Sequence, residues 1–338
     1  MPQDSDRQQL SFQQKLLLVA VVVILLWIIK ATFNVLLLIL AGALIALYFR
    51  GLSGLIHRKL HLSEKWSLPV AIIGSLLLLL LFFWLAGSKI NQQVQQLSQT
   101  LPSTVAKAKQ QISQSPVGQQ ILQQVQSGGS MQKAASTLQS FFRSTFGVLG
   151  DVYVILFLGL FFTAAPKTYR NGFLALFTSE AKPRAEGVTN KVGLTLTKWL
   201  KGKIFSMLIV AVLTIIGLLL IGVPMAFTLG LIAGLLNFIP NFGPLIALIP
   251  AVLVGLLQGP TTALLVAGLY ILVQVLESNV ITPQIQKRLI EIPPAIIIIA
   301  QLFMGVLTGG WGLVLATPVV AILMVVVQEL WIKKQHGK

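Results

Sequence analysis

Long apolar runs separated by short polar stretches occupy most of the chain. Four of them are Lys15–Ile29, Phe33–Phe49, Leu68–Gly87 and Ile204–Ile221. Their lengths approach the ~20 mostly apolar residues that a helix needs to cross a bilayer. Only Lys30–Thr32 separate the first two runs, about 13–30 and 33–49, which are expected to form a tight helical hairpin rather than a cleaved signal sequence.

Two further apolar segments contain residues that break helices. The first, 229–258, includes Asn237, Pro240, Asn241, Gly243 and Pro244, and the second, 295–332, includes Gly309, Gly310, Gly312 and Pro318. Backbone broken at membrane depth persists only where protein buries it or where it lines a watery cavity. The two segments therefore predict broken, re-entrant hairpins that form a solute pathway. The alternative is a pair of ordinary helices joined by a tight turn at a membrane face.

The stretch between the third and fourth predicted helices has a different character. Residues 89–145 contain fifteen Gln and no Asp or Glu. Apolar residues recur at helical spacing from Ile90 to Leu101, which favours short amphipathic helices outside the membrane over a disordered Gln-rich tract. Such polar helices need one another, or a neighbouring subunit, to bury their apolar stripe.

Composition and charge place the chain in a membrane and orient it. Charged residues make up only 10% of the chain, against ~25% in soluble domains. Segments 50–66 and 166–203 hold twelve Lys or Arg in 55 residues, whereas 89–145 holds five in 57. The positive-inside rule then puts the first two segments and both termini in the cytoplasm, and 89–145 outside. The net charge of +16 is interpreted as contact with anionic membrane lipids and not with nucleic acid.

The predicted fold class is therefore all-α: a polytopic helical membrane protein with ~6–8 membrane segments, including the two broken hairpins, and a small helical extramembrane insert. Three units are expected. Residues 1–88 form N-terminal membrane helices with three spans, 89–145 form the insert, and 146–338 form a transport core that includes a basic cytoplasmic helix at 178–203.

Few residues could support chemistry. The chain has no cysteine and only nine acids, of which Asp151, Glu277 and Glu329 lie within or beside apolar helices. An ionisable group inside a membrane is a functional candidate by default. Asp151 is expected to interact with a helix dipole, and Glu329 with Lys333 one turn later. No nucleophile with a base, phosphate loop, metal cluster or cofactor motif is present, so an enzyme is not expected.

Glu277 is the strongest candidate for the solute or ion pathway. Its neighbours Gln274, Ser278 and Asn279 are polar, Pro283 follows, and Arg288 could face it. The alternative role for Glu277 is a structural clasp that fixes its helix to the following loop. Asn237 and Asn241 suit a hydroxylated neutral solute, or else cap the broken helix ends. The glycines at 309, 310 and 312 permit close helix approach or hinge motion, and Trp311 is a gate or an interfacial anchor.

Four stretches of the second half resemble a known family. They are WLKGK (199–203), GVPMAFTLGLIAGLLNFIPNFGPLIALIP (222–250), QVLESNVITPQI (274–285) and GGWGLVLATPVVA (309–321). Together with the layout of the chain, they are similar to the autoinducer-2 exporter family of permease-like bacterial inner-membrane proteins. The chain departs from that family at Gln286, where a Gly is common, and after the fourth helix, where Thr163–Pro166 lacks a common Asp.

The resemblance implies a secondary or facilitative transporter that exports a small polar solute, of autoinducer-2 type. It also implies a homo-oligomer, for which a pentamer is one expectation, in the bacterial inner membrane. Other members are associated with sodium or lithium/proton antiport, which would require a carboxylate such as Glu277 to cycle protons. A third possibility is a non-transporting membrane scaffold whose Gln-rich insert binds a partner.

Overall fold

Helices form nearly all of the described backbone in the computed structural model, which covers residues 12–63, 65–81, 84, 145–286 and 293–332. In chain order they are α1 Phe12–Leu60, α2 Lys65–Leu81, α3 Thr145–Ala164, α4 Pro166–Leu174, α5 Lys182–Ile221, α6 Ala226–Leu236, α7 Phe242–Gln258, α8 Pro260–Leu276, α9 Pro294–Thr308 and α10 Gly310–Val327. The predicted insert at 89–145, both termini and Arg288 lie outside the residues whose side chains are described.

Several helices are long and apolar enough to cross a bilayer. Among the described residues there are four such helices, or five if α3 and α4, bent by 93° at Ala165, count as one broken span. The bend follows from Pro166, because the residue before a proline is disfavoured in helical conformation. Four shorter apolar helices (α2, α6, α7 and α9) complete the bundle. The protein is thus a polytopic helical membrane protein, as the hydropathy pattern predicts.

The predicted hairpin at the start of the chain is wrong. Helix α1 runs without a break through Lys30–Thr32 and contains 49 residues, a length of ~74 Å. The reason is local: Lys30, Ala31 and Thr32 include no Gly or Pro that would end a helix. Further along, α1 packs against α3, where Gly42 and Gly159 let the two backbones approach closely.

Helices α5 to α8 form an antiparallel unit with two corners at the same end. Gly222, at φ +83°, ends α5 with the left-handed residue of a Schellman motif, in which Val223 N–H donates to Leu218 C=O at 2.9 Å. The second corner is Gly259, at φ +136°. The Gln258 side-chain amide donates to Gly222 C=O at 3.0 Å and so joins the two corners.

The joined corners show that α6 and α7 form a helical hairpin, called here the first hairpin. It starts after Gly222, breaks at Asn237–Asn241, and returns to Gln258 on the same side. Its helices of 11 and 17 residues measure ~16 and ~25 Å, each short of the ~30 Å hydrocarbon core. These lengths favour a break inside the membrane over a turn on the opposite face.

Helices α9 and α10 form the second hairpin, with its turn at Gly309 (φ +67°). Gly312 is buried against the last turn of α9, where a Cβ would collide with Met304 C=O. The prediction of two incomplete helices is only half right. Helix α9 is short, but Gly310–Trp331 is long enough to cross a membrane, because Pro318 is accommodated inside α10 without ending it.

Candidate functional site

A central cavity of about 200 Å³ lies where the first hairpin breaks. Its walls come from α5, from the break at Pro240 and Asn241, from the end of α8 and from both helices of the second hairpin. The polar side chains among its lining residues are Lys203, Ser206, Asn241, Gln274, Glu277, Ser278, Thr282 and Thr317. The cavity therefore collects amides, hydroxyls and one pair of opposite charges inside an otherwise apolar bundle.

Glu277 is held by a chain of polar contacts between α5 and the end of α8. Ser206 donates to its Oε1 at 2.9 Å, and Lys203 Nζ lies 3.8 Å from the same oxygen. The side chains of Lys203 and Glu277 are only 11% and 10% exposed. Both contacts use Oε1, so within the described part of the chain Oε2 has no hydrogen-bond partner and remains available for a ligand.

The buried amide of Asn237 extends this chain into the first hairpin. Its Nδ2 donates to Ser206 Oγ at 3.1 Å, and the side chain is 1% exposed. Asn237 also occupies the C-cap of α6. Its side chain therefore joins the helix end to the polar chain of Ser206 and Glu277, which lines the cavity.

The break itself is bound to the second hairpin by a fully buried glutamine. Gln301 Nε2 donates to Pro240 C=O at 2.8 Å, and Gln301 Oε1 accepts from Asn241 Nδ2 at 3.2 Å. Asn241 has φ +65°, a conformation that asparagine tolerates better than most residues. Gln301 thus satisfies backbone freed by the break, as a membrane interior requires.

Some of the predicted pathway residues line the cavity or lie beside it. Pro240, Asn241, Gln274 and Glu277 line the cavity. Gly243 and Pro244 begin α7 beside it, and a Cβ on Gly243 would collide with Leu236 C=O, so the glycine is needed for the break.

Other predicted residues lie away from the cavity. Asn279 is exposed and donates to Val275 C=O at 2.9 Å, and Pro283 is also exposed. Gly309, Gly310 and Gly312 form the turn of the second hairpin and do not line the cavity. Their role there is close helix packing, most clearly at Gly312.

Four site residues escaped the sequence analysis as candidates: Lys203, Ser206, Gln301 and Thr317. Lys203 was counted only as one of many cytoplasmic charges, although it ends the WLKGK stretch. A polar residue within an apolar helix was a usable signal for Gln301, which is completely buried. Thr317 lines the cavity, is 4% exposed, and its hydroxyl lacks a hydrogen-bond partner among the described residues.

The other two candidate acids have structural partners. Asp151 is not in the first turn of α3; it accepts a hydrogen bond from Trp311 Nε1 at 2.7 Å and so fastens the second hairpin to α3. Glu329 pairs with Lys191 of α5 at 2.6 Å, while Lys333 lies outside the described residues. The partner observed for Glu277 is Lys203, and Arg288 likewise lies outside them.

A match to a family model agrees with this architecture. The family is described as AI-2E family transporter, and the match covers residues 16–332. The chain belongs to this family. The polar cavity between the two hairpins thus lies in a polytopic helical chain of a family described as transporters.

Curated relatives match over shorter stretches. "Putative transport protein YueF" of Bacillus subtilis is 29% identical over 57% of this chain and 53% of its own length. "Putative transport protein YrrI" of the same organism is 32% identical over 46% of this chain and 44% of its own length. "AI-2 transport protein TqsA" of Escherichia coli is 32% identical over 31% of this chain and 30% of its own length. The chain thus spans about half or less of the curated relatives that it matches.

Proposed function

We propose that this chain exports a small polar solute across the bacterial inner membrane, by downhill or gradient-driven transport through the central cavity. The observation that supports this most directly is the cavity itself, with buried amides, hydroxyls and the Lys203–Glu277 pair inside an apolar bundle. Charged groups kept within a membrane bundle are expensive and are typical of substrate or ion pathways.

The cavity also suggests the kind of solute. About 200 Å³ is below the ~300–1,000 Å³ of pockets for drug-sized ligands, so the solute is small. Three cavity-lining groups have hydrogen-bonding capacity that no described protein group uses: Glu277 Oε2, the Thr317 hydroxyl and the N–H donors of Lys203. This mixture of donors and acceptors suits a hydroxylated molecule. Because one relative, TqsA, is named an AI-2 transport protein, an autoinducer-2 type signal is the first solute to test.

The proposal includes an orientation and an assembly. We place residues 50–66, the basic half of α5 and the C-terminus in the cytoplasm and residues 89–145 outside, and we expect a homo-oligomer in contact with anionic lipids. The support is the asymmetry of Lys and Arg along the chain. The cytoplasmic N-terminus predicted with the hairpin is not retained, because a continuous α1 that crosses the membrane once puts the N-terminus on the opposite side from residues 50–66.

Flux measured in proteoliposomes tests the proposal. Asn241→Leu should reduce solute flux at least about tenfold, because Leu cannot bind Gln301 or a hydroxylated solute and one lost polar contact is worth roughly that factor. Asn190→Leu, the same change at an exposed position of α5, should leave flux unaltered. Normal flux in Asn241→Leu, with wild-type oligomer size, would show that the break is only a structural turn.

The Lys203–Glu277 pair supports a second candidate, a cation/proton antiporter. In that mechanism the Glu277 carboxylate must bind a proton and a cation in turn, with Lys203 released when the cation enters. Glu277→Gln should then abolish sodium- or lithium-dependent proton flux. Under neutral-solute export, Gln retains an acceptor for Ser206, so we expect partial solute flux in Glu277→Gln and much less in Glu277→Leu. Absence of both solute and ion flux in the wild type would favour the scaffold hypothesis.

A further inference from the structure

A second set of buried polar groups lies deeper in the bundle than the central cavity. On α5, four buried residues, Ser206, Val210, Thr214 and Leu218, follow one another at a spacing of four and so share one face of the helix. Ser206 borders the cavity. This face therefore changes from polar at Ser206 to apolar at Val210 and back to polar at Thr214.

The facing side of α8 changes in the same order. The two helices are antiparallel, since Ser206 bonds to Glu277 at one level and Gly217 packs against Leu269 at another. Counting residues from these two contacts at the rise of an α-helix puts Val273 near the level of Val210, and Tyr270 near the level of Thr214. We call the interface between these faces of α5 and α8 the seam.

The two hydroxyls of the seam are buried without a protein partner. Thr214 is 1% exposed and Tyr270 is 6% exposed. Within the described residues, neither Thr214 Oγ1 nor the Tyr270 hydroxyl has a hydrogen-bond partner. A buried hydroxyl that stays unpaired is costly and rare in native proteins, and such groups are commonly satisfied by water or by a polar ligand.

From this arrangement we propose that Thr214 and Tyr270 form a second polar binding site on the transport route, beyond a barrier made by Val210 and Val273. Its ligands would be water and the hydroxylated solute that leaves the central cavity. Eight residues of α5 separate Ser206 from Thr214, which is ~12 Å along the helix. The inference rests on the proposed function for its role in transport.

The surroundings of the seam allow it to open. The first hairpin contributes small buried side chains to the same core, including Ala233 of α6 with Ala247 and Ala251 of α7. Small residues let helix backbones approach closely, so this packing leaves no bulky side chain of the first hairpin to block the seam. A modest shift of the first hairpin would connect the central cavity to Thr214 and Tyr270 and lead toward the corner at Gly222.

Thiol labelling tests the site without any transported solute, because the natural chain has no cysteine. Membrane vesicles carrying Thr214→Cys are treated with aminoethyl methanethiosulfonate, which reacts only with a hydrated thiolate. Two controls are Val212→Cys on the exposed apolar face of α5, and Leu37→Cys in the buried core near α3. We expect Thr214→Cys to react at least about tenfold faster than either control, since an apolar site suppresses the thiolate.

Isosteric variants then test the role in transport. Thr214→Val and Tyr270→Phe should each lower flux about tenfold, the effect of one lost hydrogen bond to the moving solute. Thr214→Ser, which keeps the hydroxyl, should restore it. Thermal stability should be nearly unchanged in the Val and Phe variants, because neither removes a hydrogen bond to another protein group.

The outcomes separate this inference from the proposed function. Labelling of Thr214→Cys no faster than Leu37→Cys would overturn the hydrated site. Labelling together with wild-type flux in both Thr214→Val and Tyr270→Phe would overturn its role in transport. If wild-type vesicles carry no solute, the proposed function fails, and the labelling rates alone decide whether the seam opens to water.

Discussion

The contact between Lys203 and Glu277 allows a quantitative prediction about folding. In Glu277→Leu the carboxylate disappears while the Lys203 side chain, only 11% exposed, stays buried without its partner. Removing one partner of a buried ion pair leaves an uncompensated charge and costs about 3–5 kcal/mol. The 3.8 Å separation is long for a hydrogen-bonded pair, so the lower end of that range is expected.

The double variant Glu277→Leu with Lys203→Met separates the pair from its surroundings. It removes both charges and replaces them with apolar side chains of similar length, a change that is often neutral or stabilising for a buried pair. We expect it to recover at least about 2 kcal/mol of the loss in Glu277→Leu. Ser206 still loses its acceptor in the double variant, so complete recovery is not expected.

The assay is the free energy of unfolding of the purified protein in one detergent, measured for the wild type, both single variants and the double variant. Glu186→Leu is the matched control. Its pair with Arg170 is shorter, at 2.6 Å, but the side chains are 38% and 48% exposed, so less than about 1 kcal/mol should be lost. Equal losses in Glu277→Leu and in the double variant would refute the claim that the two charges stabilise each other.

Three further expectations follow from the hairpins and the charge pattern. Gly312→Ala should destabilise the protein by about 1–3 kcal/mol, because the added methyl group collides with α9. Gly310→Ala has open space around its Cβ position and should cost less than about 1 kcal/mol. Equal losses of unfolding free energy in the two variants would contradict the packing argument. Trp311→Phe should lower the unfolding free energy by about 1.5–3 kcal/mol, because it removes the donor to the Asp151 carboxylate. Asp151→Asn keeps an acceptor and should lower it less. Equal losses in the two variants would show that this hydrogen bond is weak. Ser115→Cys should label with an impermeant maleimide in intact cells, and labelling only after lysis would reverse the orientation.

The sequence alone determined the class of the protein and the breaks of its two later hairpins. Hydropathy runs predict bilayer spans because the length of an apolar helix must match the hydrocarbon core. Pro240, Asn241 and Gly243 predict the first break because their backbone requirements are local. The sequence also predicts that Glu277 and Asn237 belong to a polar site, because a polar group within an apolar membrane helix is costly and usually has a function.

Other features were not predicted correctly, and some of them depend on contacts between distant parts of the chain. The polarity pattern around Lys30–Thr32 suggested a turn, but a continuous helix needs no long-range information to form and no residue there prevents it. Asp151 was assigned to a helix dipole because its partner, Trp311, lies 160 residues away. The pairing of Glu277 with Lys203 was likewise hidden among the many basic residues of α5.

Tertiary structure also decided which of the predicted residues lie together. The sequence grouped Asn241, Glu277 and Gly309 by their chemistry, whereas the fold brings the first two to one cavity and leaves the glycine at the turn of the second hairpin. Local propensity determines where a helix ends, because capping and backbone conformation involve neighbours in sequence. Which helix faces which is determined by packing and by the need to satisfy buried polar groups, and these depend on the whole bundle.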